Sequence, residues 1–176
     1  MRLVALFAVL TLVALAIQTT ASRWLPLSAL VPDLVLVLAV DLGLRHRRAL
    51  APIIAFAMGY AMDAFSGSQL GVNTFAVTLT YLVAYEVGVH SSAGGPEAGA
   101  VLVFVAVLIQ SLGGFLISTQ FRAGDQLGAL VPAALLQATV TAVIAPPLFG
   151  LIAGLRRMLG LGQGRRTRGG WISRGV

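Results

Sequence analysis

What most constrains this chain is its hydropathy: six apolar runs, at 3–17, 27–44, 49–65, 70–89, 99–118 and 127–155, with only short connections between them. Most of these runs approach the ~20 residues that cross the hydrocarbon core of a bilayer. Composition agrees, because 58% of the 176 residues are hydrophobic and only 10% are charged, against roughly 25% charged in soluble domains. The expected fold is therefore an all-α integral membrane protein. It has a bundle of six transmembrane helices over residues 1–159 and a basic Gly/Arg-rich tail, 160–176, expected to be disordered. With so little chain outside the runs, any chemistry must lie within or beside the helices.

All twelve positive charges are arginine, and their placement sets the topology. Taking alternate sides, Arg2, Arg45, Arg47, Arg48, Arg156, Arg157, Arg165, Arg166, Arg168 and Arg174 fall together, against Arg23 and Arg122. Lysine and arginine favour the cytoplasmic side, so both termini are expected to be cytoplasmic, with the connections at 22–29, 66–69 and 119–126 on the outer face. The tail calls for no nucleic acid, because anionic lipid headgroups attract such a segment by about 1 kcal/mol per charge near the surface. Met1-Arg2 followed by an apolar stretch and Ala14-Leu15-Ala16 also has the make-up of a secretory leader. We read it as a retained first helix, a point that an intact mass decides.

Several kinds of chemistry are disfavoured. The chain has no cysteine, which removes thiolate nucleophiles and sulfur-ligated metals. His46 and His90 fall in expected loops without a second ligand at metal spacing. Ser66 and Ser68 lack a G-x-S-x-G setting, and His90 is expected on the opposite face of the membrane. A carboxylate pair of Asp33 and Asp63 is geometrically conceivable, both lying toward the outer leaflet, but Asp63 follows Tyr60-Ala61-Met62 rather than the G-x-G of intramembrane aspartyl proteases. No glycine-rich phosphate loop is present. We expect no enzyme activity, no cofactor and no metal.

The remaining polar residues point to packing. Asp63 closes an i+4 stripe with Ala51, Ala55 and Gly59 on helix three, and small residues let membrane helices approach closely. An acid in an apolar run is costly unless it faces protein or a wet cavity, so Asp63 marks a contact or a site. Pro32 and Asp33 suit the first turn of helix two, where the dipole favours a carboxylate. Asp41 and Arg45 form an i,i+4 pair. Helix four carries Ala76, Thr80, Ala84 and Gly88 on one face, and Glu86 is expected to pair with the arginines of the second-to-third connection. The stretch 90–97 reads as a loop. Gln110 sits midway in helix five. Helix six carries the stripe Ala134, Ala138, Ala142, Pro146, Gly150 and Gly154, with Pro146-Pro147 expected to bend or break it. Asp33 and Asp63 are expected to satisfy each other's surroundings through turn amides around Ser66 and Gly67. One small-residue face, on helix three or helix six, is expected to be free for a partner or for a second copy.

Pro32-Asp33, the pattern Gly59-x-x-x-Asp63-x-x-Ser66-Gly67-x-x-Leu70-Gly71 and a fourth helix bearing Tyr81 resemble the rod shape-determining protein MreD family. The small size, six spans and short loops are similar across nearly the whole chain, while the tail beyond Leu159 departs from the family. The resemblance implies a multi-pass protein of the bacterial inner membrane that is not itself an enzyme. It implies direct transmembrane binding to MreC, and so a link between MreB filaments, the glycosyltransferase RodA and RodA's transpeptidase partner in lateral peptidoglycan synthesis. It also implies a fold similar to the substrate-binding subunits of energy-coupling-factor transporters. That similarity carries the alternative reading, a small-molecule-binding transporter subunit. Such a subunit is expected to have an Ala-x-x-x-Ala docking surface on helix one, yet Ala5, Ala8, Ala14, Ala16 and Ala21 never fall four apart.

Overall fold

The computed structural model describes residues 2–24, 30–46, 49–66, 71–90, 96–118 and 127–160. Six helices follow one another: α1 Arg2–Trp24, α2 Leu34–Arg45, α3 Ala51–Ser66, α4 Val72–His90, α5 Pro96–Ser118 and α6 Leu127–Met158. Expected Gly67 and Leu70, the Arg47-Arg48 pair and the tail from 161 onward lie outside the described residues.

The bundle is built around α2. Every residue from Val35 to Gly43 is buried, and α2 packs against each of the other five helices, most extensively α4. Small residues make the α2–α4 contact possible. A Cβ added at Gly43 would stand 2.7 Å from Ala84 Cβ and 2.6 Å from the Tyr81 carbonyl oxygen. One added at Gly88 would stand 2.9 Å from the Leu44 carbonyl oxygen. These separations leave no space for a side chain, so the two backbones touch directly, the contact that substitutes for the hydrophobic effect between helices in lipid. On the other side of the bundle α5 packs along α6, with Gly99 seated against the Phe149 ring.

Four helices are long and apolar enough to cross a membrane: Arg2–Trp24, Val72–His90, Glu97–Gly114 and Val131–Met158. Within the described residues the other two are shorter, α2 with 12 residues and α3 with 16. Within the run at 27–44, α2 starts at Leu34, because Asp33 caps it: its side chain accepts the Leu36 amide at 3.1 Å, which fixes the start at that residue. The stretch expected as a loop up to residue 97 is shorter than expected. Proline is tolerated in a helix's first turn and an acid is favoured there, so α5 begins at Pro96 with Glu97 behind it.

Of the bend or break expected at Pro146-Pro147, the break does not occur. α6 runs unbroken for 32 residues with Pro132, Pro146 and Pro147 inside it. Each proline removes one N–H from the ladder, a loss that a packed membrane helix absorbs with its neighbours. Residues Ala138, Thr141, Ala145, Phe149, Ile152 and Arg156 form its buried row.

Candidate functional site

The polar side chains that stand out in the sequence gather at two ends of this bundle. At the end where α1 and α3 finish and α2 and α4 begin, Asp63 is 1% exposed and takes the place of a cap for α4. One carboxylate oxygen, Oδ2, accepts the Gly71 amide at 2.9 Å, the Thr74 amide at 3.0 Å and the Thr74 hydroxyl at 2.5 Å. The other, Oδ1, accepts the Asn73 amide at 3.0 Å. The first N–H groups of a helix have no partner within it, and here a carboxylate from the preceding helix supplies one while also meeting the positive end of the dipole. Gly71 makes the geometry possible, with φ +102°, the left-handed conformation that glycine adopts without penalty. Gly59, one turn before Asp63, lets α4 come close enough, since its added Cβ would stand 2.5 Å from Thr74 Cα.

Asp33 forms a second hub. Beyond capping α2, its Oδ1 accepts from Gln18 of α1 at 3.4 Å, and Gln18 also donates to the Pro32 carbonyl at 3.1 Å. Its backbone N–H donates to the Thr141 hydroxyl of α6 at 3.2 Å. That hydroxyl donates onward to the Gln137 carbonyl at 2.7 Å, and the Gln137 amide reaches Val31 O at 3.4 Å. Gln110 of α5 donates to Asn73 Oδ1 at 3.1 Å and its amide also faces Asp33. Residues from all six helices thus meet in one polar layer.

This geometry corrects the expected arrangement of the two acids. Among the described residues they share no donor, and Asp63 accepts the amides of Gly71, Asn73 and Thr74; the expected turn at Gly67 lies outside the described residues. No hydrogen bond joins the two carboxylates, so they do not form a proton-sharing pair. Ser66 ends α3 on the exposed side of the layer. Gln18, which the sequence reading passes over, is a structural donor. An amide in an otherwise apolar helix is the signal that points to it.

At the opposite end, Asp41 is fully buried and held by two arginines. Arg45 Nε lies 2.8 Å from Asp41 Oδ1, the pairing expected from spacing. Arg156 Nη2, contributed by α6, donates to the same oxygen at 3.0 Å. His46, 6% exposed rather than lying in an open loop, meets Arg156 Nη1 at 3.4 Å through Nδ1 and packs edge-on against Phe7 with ring centres 5.8 Å apart. Glu86 takes His90 as its partner among the described residues, at 3.4 Å and in an exposed position. Among the described residues no three His, Asp or Glu side chains converge as a metal site would require.

The small-residue stripes separate into inner and outer parts. Ala51, Ala55 and Gly59 are buried inside the bundle, so helix three is not the free face. On α6, Ala138 is buried, Ala134 and Ala142 are half-buried and Gly150 is exposed. An i+4 row drifts by about 40° per step around a helix with 3.6 residues per turn. Such a row therefore passes from the core at Ala138 to the surface at Gly150.

The chain matches the family model described as rod shape-determining protein MreD over residues 1–155, nearly all of its helical part. Among curated proteins and among solved structures, nothing matches it. A match over that much of the chain, with both acid hubs inside it, shows that the chain belongs to the rod shape-determining protein MreD family.

Proposed function

We propose that the protein is a non-enzymatic scaffold of the bacterial inner membrane that binds MreC through its transmembrane helices. It thereby helps couple MreB filaments to RodA and RodA's transpeptidase partner during lateral peptidoglycan synthesis. Family membership supports a role in rod shape determination. The observation that carries the scaffold reading is the use made of the acids. Asp63 is taken up by the first turn of α4 and Asp33 by α1, α2 and α6, so both carboxylates hold helices rather than face a reacting group. Both termini face the cytoplasm in this reading, and the arginine-rich tail rests against anionic headgroups.

With α3 engaged internally, the outward part of the α6 stripe is the face offered to MreC, or to a second copy. At Gly150 and Gly154 an added Cβ would meet nothing within 4 Å, so bare backbone is open to a partner helix there. Co-expression of the full chain with full-length MreC and purification in mild detergent tests this. A complex that survives size exclusion is expected, and Gly150→Leu is expected to weaken it without lowering the yield of the folded monomer. Failure to co-purify when both proteins elute as folded species refutes the proposal.

A further inference from the structure

The mouth of the bundle over the N-terminus of α2 is a cleft of about 370 Å³, within the ~300–1,000 Å³ typical of small-molecule sites. Its polar lining comes from Gln18, Thr19 and Ser22 of α1, from Asp33, from Ser66 of α3 and from Gln137 of α6. The hydrogens of these groups are largely turned back onto the protein. Gln18 donates to Pro32 O and Asp33 Oδ1, Gln137 to Val31 O, Thr19 to Leu15 O at 2.8 Å and Ser22 to Thr19 O at 2.9 Å. What the cleft presents is therefore oxygen: two amide carbonyls, two hydroxyl lone pairs and a carboxylate.

The cleft is also electronegative. Asp33 is 4% exposed and, among the described residues, it forms no ion pair and no arginine lines the cleft. The α2 dipole opposes a cation with only about half a charge, and an ammonium brought beside Asp33 favours the ionised carboxylate. Met62 and Phe65 supply an apolar wall.

We propose that this cleft binds a primary alkylammonium group, its N–H donors on the ring of oxygens and its apolar body along Met62 and Phe65. The chemistry is common to two sources, the headgroup of an aminophospholipid and a free amine. The proposal goes beyond the scaffold role and does not depend on MreC binding.

Native mass spectrometry of the full chain, released from micelles holding equal amounts of phosphatidylethanolamine and phosphatidylglycerol, tests it. Thermal shift with free ethanolamine runs beside it. Preferential retention of phosphatidylethanolamine is expected. Asp33→Asn is expected to lower that retention at least about tenfold, the low end of what a hydrogen bond to a charged group contributes. Asparagine caps helices as well as aspartate, so α2 keeps its start. Ser22→Phe, which fills the cleft from the rim and leaves Asp33 intact, is expected to give the same loss. A thermal shift with ethanolamine that Asp33→Asn abolishes, without lipid adducts, supports the site with a soluble amine as its source. Equal retention of the two lipids with no ethanolamine shift overturns the proposal, as does a response that both variants leave unchanged.

Discussion

Replacing Asp63 probes the contact on which the start of α4 depends. Leucine is close in size and removes every acceptor. The Asn73 amide, the Thr74 amide and the Thr74 hydroxyl are then orphaned, while the Gly71 amide, on an exposed residue, turns to water. Three lost bonds cost about 2 kcal/mol if each counts as transmembrane hydrogen bonds do on average, ~0.6 kcal/mol. If each orphan loses its solvation in full, they cost about 6 kcal/mol. Asparagine behaves differently because the load is uneven. Its oxygen can keep the Oδ2 position with three donors, and its NH₂ then faces only the Asn73 amide. One mismatched donor costs roughly 1–3 kcal/mol.

Thermal unfolding in detergent, followed by fluorescence-detected size exclusion, reads both variants. At about 2–4 °C per kcal/mol for a chain of this size, Asp63→Asn is expected to melt several degrees below the parent and Asp63→Leu further below still. Thr74→Val is expected to add little in the Asp63→Leu background, where the hydroxyl has already lost its acceptor. Two results refute the reasoning: a parent-like melting temperature for Asp63→Leu, or additive losses with Thr74→Val.

Three other outcomes follow from the same packing. Gly59→Ala is expected to lose roughly 1–3 kcal/mol by overpacking, since the three nearest atoms its Cβ meets are all α4 backbone. Gly150→Ala, which meets nothing, is expected to be neutral or to gain up to about 1 kcal/mol in helix propensity; matching melting temperatures for the two count against the packing described. Arg156→Met is expected to destabilise by about 3–5 kcal/mol, because it removes one of the two cations from a buried carboxylate, and adding Asp41→Asn is expected to recover part of the loss. No recovery in the double variant argues against the ion pair as the cause. Because the chain has no cysteine, single cysteines report topology. A membrane-impermeant maleimide is expected to label Ser22→Cys in intact cells and Arg157→Cys only after permeabilisation, and the reverse pattern overturns the assigned orientation.

The residues that were legible in the sequence share one property: each is expensive where it stands. Asp63 in an apolar run had to have donors, and the close approach of another helix at Gly59 followed from the small-residue stripe that Asp63 closes. Asp33 was placed at a helix start because only there does a proline-acid pair sit cheaply. What was not legible is the set of partners those residues find. The Arg156 pairing with Asp41 spans 115 positions, and nothing local distinguishes Arg156 from Arg157. The reach of Gln18 to Asp33 depends on how far α1 rises beside α2. The identity of the free face was hidden for a geometric reason, because a drifting i+4 row does not announce where it leaves the core.

The shortness of α2 links the two polar clusters to the cleft. Twelve residues rise about 18 Å, well below the ~30 Å of a bilayer's hydrocarbon core. The 23 residues of α1 rise about 34 Å beside it. A central helix shorter than its neighbours must bring its polar ends inside the bundle, where side chains of the neighbouring helices have to satisfy them. That is why the N-terminus of α2 carries Asp33 with donors from α1, and why its C-terminal turn carries Asp41 with a cation from α6. Neighbouring helices that continue past the recessed end of α2 leave a hollow above it, walled by the side chains of α1, α3 and α6. The cleft is thus a consequence of where Asp33 starts the helix. A chain in which that cap lay a turn or two earlier would extend α2 into the same space and close it.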